Sequence, residues 1–162
     1  MHIYCDPVNY ENQEMTSKHR KYKQLSSCSC NMMRKSARKI TQFYENNLRE
    51  ADIKPTQFSI LAALANTGPI QLTQLADRLV LERTSLTRNL NVLKRNTWID
   101  IQAGEEDSRQ RVVSLTRDGY KQLDYAIPYW QKAQKTIAKD MGQDTITGLK
   151  RTLDEMTEII TV

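Results

Sequence analysis

At 162 residues the chain is long enough for one domain with a real core and too short for two comfortable ones. A formal net charge of +5 suits a polyanionic partner, and 7% aromatics with only five glycines argue against a β-sandwich or barrel. No apolar run approaches bilayer length, and Met1-His2-Ile3-Tyr4-Cys5-Asp6-Pro7 lacks the basic-then-apolar layout of a signal peptide, so a cytoplasmic protein with no membrane partner is expected. Cys5, Cys28 and Cys30 form no even disulfide framework, which makes reduced thiols the default.

Residues 1–27 are polar and aperiodic and read as a mobile N-terminal extension. Residues 28–162 read as one domain. From Asn31 onward Met33, Ala37, Ile40, Tyr44 and Leu48 recur at spacings of three and four, which predicts a helix over about 31–50. Pro55 opens a second helix carrying Phe58, Leu61, Ala62 and Leu64, and Gly68-Pro69 ends it. A third helix, about 73–80, places Leu72, Leu75, Ala76 and Leu79 inward, and a fourth, about 83–95, follows almost at once with Leu86, Leu90 and Leu93 as its stripe. Two short helices joined by a tight turn form a helix-turn-helix. Opposite the leucines of the second lie Thr84, Arg88, Asn91 and Arg95, all hydrogen-bond donors and two of them cations. Such a face fits a major groove, where arginine grips guanine and asparagine pairs with adenine. An ordinary solvated helix face has the same composition.

Trp98-Ile99-Asp100-Ile101 then reads as a strand with Ala103-Gly104 as its turn, and residues 107–119 give a polar tip, an alternating strand and a Thr helix start. A hairpin with an arginine-bearing tip behind a helix-turn-helix describes a winged helix over about 55–116. A long helix from about 117, interrupted or bent at Pro128, carries Leu123, Ile127, Trp130 and Ile137. A last helix spaces Ile146, Leu149, Leu153, Met156 and Ile160 as a seam too short to stand alone, so it must pack on the first helix or on a second subunit. The fold class expected is mainly α, with a small β-hairpin wing.

Leu75-Ala76-x-x-Leu79, then Glu82-Arg83-Thr84-Ser85-Leu86-Thr87-Arg88-Asn89-Leu90 and Leu93-Lys94-Arg95, precede the wing signature Asp107-x-Arg109-x-Arg111-x-x-x-Leu115-Thr116-x-x-Gly119. On these residues the chain, from about Cys30 to its end, resembles MarR-family transcriptional regulators. The resemblance implies a homodimer held by helices about 31–50 and 117–161, binding double-stranded DNA at a pseudo-palindromic operator. Most such proteins repress, and many release DNA when they meet a small aromatic or amphipathic ligand or an oxidant. It further implies that Thr84, Ser85 and Arg88, with Thr87 in the same motif, meet bases or phosphates. Arg109 would enter the minor groove, held by an ion pair with Asp107, and Arg111 either joins it or stays in solvent. A winged helix serving as a protein-interaction module without useful DNA affinity is the alternative.

Cys30 opens the first helix, where the dipole favours thiolate, with Arg34 one turn on. The oxidant-sensing branch of the family carries its reactive thiol at the position Cys30 matches and a phenol at that of Tyr44, but a second phenol where this chain has Arg34. Cys30, with Cys28 beside it, is thus either a redox sensor or a small packed residue at a dimer interface. Cys28-Ser29-Cys30 with His2 and His19 is not a zinc spacing, so no metal and no cofactor are expected. No phosphate-cradling glycine loop or Ser-His-Asp arrangement points to an enzyme. The run Lys18-His19-Arg20-Lys21-x-Lys23 is either a DNA-binding tail or a solvated one, and Trp130 either lines a ligand pocket or fills the core.

Overall fold

The computed structural model describes residues 22, 25, 28–104, 107 and 109–160. The expected extension, the Lys18–Lys23 run, Cys5, His2 and His19 therefore lie outside the described residues, Tyr22 and Leu25 excepted. The chain divides into two compact units, Met1–Gln42 and Phe43–Val162, and the boundary falls inside the first helix rather than ahead of it. In chain order the elements are α1 (Ser29–Leu48), a 3-10 turn (Arg49–Ala51), α2 (Pro55–Thr67), β1 (Ile70–Gln71), α3 (Leu72–Leu79), α4 (Arg83–Arg95), β2 (Ile99–Ala103), β3 (Arg111–Leu115), α5 (Arg117–Met141) and α6 (Gln143–Ile159). No helix among the described residues is long and apolar enough to cross a membrane.

The core of the second unit gathers the apolar stripes that the sequence places on each helix. Leu48, Ile60, Leu61, Leu64, Leu75, Leu86, Leu90, Leu93 and Val113 are all within 1% of full burial. α2 begins as Pro55 at its first position dictates, and the buried Gln57 turns its Oε1 back to accept the Lys54 amide at 3.0 Å. That bond satisfies an amide that the helix itself leaves without a partner. The sheet is antiparallel in the order β1-β3-β2, so the wing has a third strand beyond the two that the sequence announces. It consists of Ile70 and Gln71 alone, opposite Val113 and Val112.

α5 runs unbroken from Arg117 to Met141, so of the interruption or bend expected at Pro128 the interruption is corrected. Proline removes one backbone bond, but Pro128 is exposed while Ala126 and Ala133 sit fully buried on the inner face. Trp130 stacks on Phe58 of α2, centroids 6.0 Å apart, and holds the helix past the defect. α6 is less embedded: Ile146 is its only buried residue, and Leu149, Leu153 and Ile159 are exposed.

Two positions carry backbone constraints. Val80, in the turn between α3 and α4, has φ 49° although it is β-branched and exposed. Gly119, one turn into α5, is buried against Trp98, just ahead of β2, and a Cβ there would overlap the Trp98 carbonyl oxygen and crowd Leu115 Cδ2 of β3 at 2.8 Å. Gly119→Ala should therefore lower stability by at least about 2 kcal/mol through overpacking against rigid backbone. Val80→Gly should raise it by up to about 1 kcal/mol, the left-handed strain relieved less the added freedom of the unfolded chain. Urea unfolding midpoints check both, and an unchanged midpoint for Gly119→Ala would show that α5 and β2 are free to separate.

Candidate nucleic-acid interface

The leucine spacing of α4 sets the direction of its other face. Leu86, Leu90 and Leu93 are at most 1% exposed, and successive residues turn about 100°. Thr84, Arg88, Asn91 and Arg95 then fall within roughly 60° of arc opposite them, and all four are exposed. Ser85 and Thr87 flank this stripe and are also exposed. The Thr87 hydroxyl donates to the Arg83 carbonyl at 2.7 Å, which leaves it acceptor capacity rather than a free donor. Asn89 is tied down in the same way, its Nδ2 donating to the Ser85 carbonyl at 2.9 Å. The stripe thus presents two guanidinium groups, one amide and one hydroxyl in a single row about 16 Å long.

The wing is a ladder from Ile99↔Leu115 to Ala103↔Arg111, closed by a loop with its own hydrogen bonds. The Gly104 amide donates to the Gln110 carbonyl and the Gln110 amide to the Asp107 carbonyl, each at 3.0 Å. A side chain at Gly104 would meet the Asp107 carbonyl at 2.9 Å and Gln110 Cβ at 3.3 Å, so this crossing requires glycine. The Asp107 carboxylate accepts the backbone amide of Arg109 at 2.9 Å. This corrects the expected Asp107–Arg109 ion pair: among the described residues the acid fixes the backbone of the tip, and the Arg109 side chain stays exposed. Arg111, at the start of β3, is exposed as well.

One contact was not anticipated from the residues. Gln71 Nε2 donates to Gln110 Oε1 at 2.6 Å, joining β1 to the base of the tip across 39 residues. Only the existence of β1 could have suggested it, and two residues carry no periodicity to read. At the other end of the ladder the Thr116 hydroxyl does two jobs. It donates to the Thr97 carbonyl at 2.6 Å and accepts the Gly119 amide at 3.0 Å, capping α5 while anchoring it to the end of α4.

The other candidates are dispersed. Cys28 and Cys30 are exposed at the start of α1. Tyr44 is half-buried edge-on to Phe43, with centroids 5.8 Å apart, and burial raises its phenol pKa. Trp130 packs against the core on Phe58; one cleft on α5, lined by Pro128, Lys132 and Lys135, and another beside the wing, lined by Gln71, Gln102 and Gln110, are formed by other side chains. On the exposed side of α5 the Tyr129 hydroxyl donates to that of Tyr125 at 3.4 Å, which raises the Tyr129 pKa, with burial adding to it.

Residues 51–110 match the family model described as MarR family. The HTH-type transcriptional regulator SarZ of Staphylococcus aureus is 30% identical over 95 residues, 59% of this chain. That match spans 64% of SarZ, just under two thirds of its length. Among solved structures, the Mycobacterium tuberculosis transcriptional regulator MOSR in complex with DNA is 32% identical, with a TM-score of 0.67 over 80% of this chain and 98% of that one. A cysteine-to-serine variant of MarR from E. coli complexed with operator DNA is 21% identical with a TM-score of 0.71, over 78% and 91% of the two chains, a likeness of fold.

The tip geometry makes its own prediction. Asp107→Ala should speed exchange of the Arg109 amide roughly fivefold, the worth of one ordinary hydrogen bond, while Asp107→Asn, which keeps an acceptor oxygen, stays near the parent. Equal exchange in parent and Ala variant, followed by NMR, would mean that the carboxylate does not order the loop.

Proposed function

This chain belongs to the MarR family, and from that premise we propose that it is a sequence-specific DNA-binding transcriptional regulator. It acts as a homodimer on a pseudo-palindromic operator, represses, and lets go of DNA on binding a small ligand or on thiol oxidation. The observation that carries the reading is the α4 row. Thr84, Arg88, Asn91 and Arg95 are exposed on one line of a helix whose opposite side is locked by three buried leucines, with the wing that carries Arg109 and Arg111 next in the chain. Side chains held this way offer bidentate contacts to base edges at little further cost in ordering. Arg109, exposed on a braced loop, suits a narrow minor groove, whose potential draws in arginine.

The homodimer is supported by what α6 lacks. A 17-residue helix that buries only Ile146 while exposing Leu149, Leu153 and Ile159 has an apolar side in need of a cover, and an equivalent helix of a second copy supplies one. Release by oxidation is supported by the exposure of both Cys28 and Cys30.

Capture of genomic fragments by the purified protein, then titration of the best fragment, tests the reading: selective retention of a pseudo-palindrome supports it, and retention without sequence preference counts against it. Arg88→Ala and Arg109→Ala should each cost about 1–3 kcal/mol of operator affinity, with folding unchanged. Full affinity in either folded variant removes that residue from the interface. Cys30→Ser should bind operator normally and no longer release it with a hydroperoxide; release that persists in this variant excludes Cys30 as the sensor.

A further inference from the structure

The wing is a lever, and its stiffness sets how firmly Arg109 is aimed. β2 and β3 pair from Ile99↔Leu115 to Ala103↔Arg111, which puts the tip roughly 14 Å beyond the root. Over that length a swing of about 5° moves the tip by about 1 Å, and two-stranded ribbons twist readily. β1 supports the ladder only as far as Val112, since its two residues pair with Val113 and Val112. Beyond that rung, among the described residues, no strand flanks β3 on that side.

A side-chain bond carries the support further. The register places Gln71, Val112 and Gln102 in one row across the outer face of the sheet, while Ile70, Val113 and Ile101 form the inner row against the core. From the outer row Gln71 Nε2 donates to Gln110 Oε1 at 2.6 Å, two residues nearer the tip. Gln102 does not compete for Gln110, because its own Nε2 donates to Asp100 Oδ2 at 2.7 Å. Gln110 is the hub of the tip: its amide donates to the Asp107 carbonyl and its carbonyl accepts the Gly104 amide. Holding its side chain therefore holds the closed loop, and Arg109 is the adjacent residue. The other end of the bond is firm, since Gln71 leads directly into α3 and α3 packs on α4.

Gln71 does this in place of serving its own helix. It is the N-cap of α3, with φ −64° and ψ 142°, where Ser, Thr, Asp or Asn bonds a first-turn amide. Gln71 makes no such bond, and its longer side chain crosses the sheet instead.

We propose that Gln71 is a positioning residue for Arg109, a clasp that fixes the wing tip relative to the α4 row so that both meet one stretch of duplex. The inference rests on the reading of the chain as a DNA-binding regulator with Arg109 in the groove. A tip already held in place loses less freedom on binding, so the clasp contributes to operator affinity rather than to folding.

The test is a set of double-mutant cycles on operator affinity, made with the full chain. Gln71→Thr removes the clasp and offers α3 a hydroxyl cap. Its urea midpoint should equal or exceed the parent's, while operator affinity falls roughly fivefold, the worth of one hydrogen bond. In an Arg109→Ala background the same substitution should cost nothing further. Gln110→Ala should match Gln71→Thr, and the two together should lose no more than either alone. Gln71→Lys with Gln110→Glu rebuilds a donor and an acceptor at unchanged net charge and should recover most of the parent affinity. Parent affinity in Gln71→Thr, on an operator that Arg109→Ala binds more weakly, overturns the clasp and leaves the regulator reading standing. So does a loss that persists in full without Arg109, which makes Gln71 a DNA contact or a structural residue in its own right. An operator bound selectively by the parent but indifferent to Arg109 has the same consequence. A parent chain that binds no duplex overturns both.

Discussion

The small junction at the base of the wing governs the orientation of everything else in the second unit. Thr97, Trp98, Thr116 and Gly119 meet there. The Thr116 amide donates to the Trp98 carbonyl at 3.1 Å, and its hydroxyl joins Thr97 to the first turn of α5. Gly119 lies so close to the Trp98 carbonyl that no side chain fits between. Because Trp98 follows α4 directly and Leu115 ends β3, these few atoms tie the α4 row, the wing and the 25-residue α5 into one frame. Backbone contacts of this kind barely deform, so a movement of α5 must carry the α4 row with it.

The wing follows the same economy of local bonds. Its tip is a ring of main-chain hydrogen bonds between Gly104, Asp107 and Gln110, with the Asp107 carboxylate on the Arg109 amide. An ion pair to the guanidinium would consume the charge that the tip has to offer; a bond to the backbone orders the loop and leaves the cation outward. The Gln71–Gln110 contact sets the angle of the loop against β1. The acid of the wing signature therefore serves Arg109 by shaping the chain beneath it.

How much of this could be read in advance depends on the length over which each feature repeats. The ends of α4 at Arg83 and Arg95 match the expected 83–95, because three leucines and the turns on both sides bracket it. The hairpin and the helix start at Thr116 are equally plain, being written in alternation and in a capping residue. β1 is two residues long and has no pattern of its own; it exists because Ile70 and Gln71 happen to lie along Val112 and Val113. Pro128 suggested a break by a local rule that the stacking of Trp130 on Phe58 overrides. The Asp107 bond was mispartnered because a carboxylate two residues before an arginine fits either acceptor role, and only the turn decides. The clash behind Gly119 was invisible, since a glycine in a motif does not say which carbonyl it approaches.

One surface remains that the second unit does not explain by its own packing. α6 turns apolar side chains outward and carries both signs of charge, Lys150 and Arg151 among Asp154, Glu155 and Glu158, with Arg151 and Glu155 at 3.9 Å. Such a face is compatible with a self-complementary contact, where like surfaces meet and mixed charges can interleave.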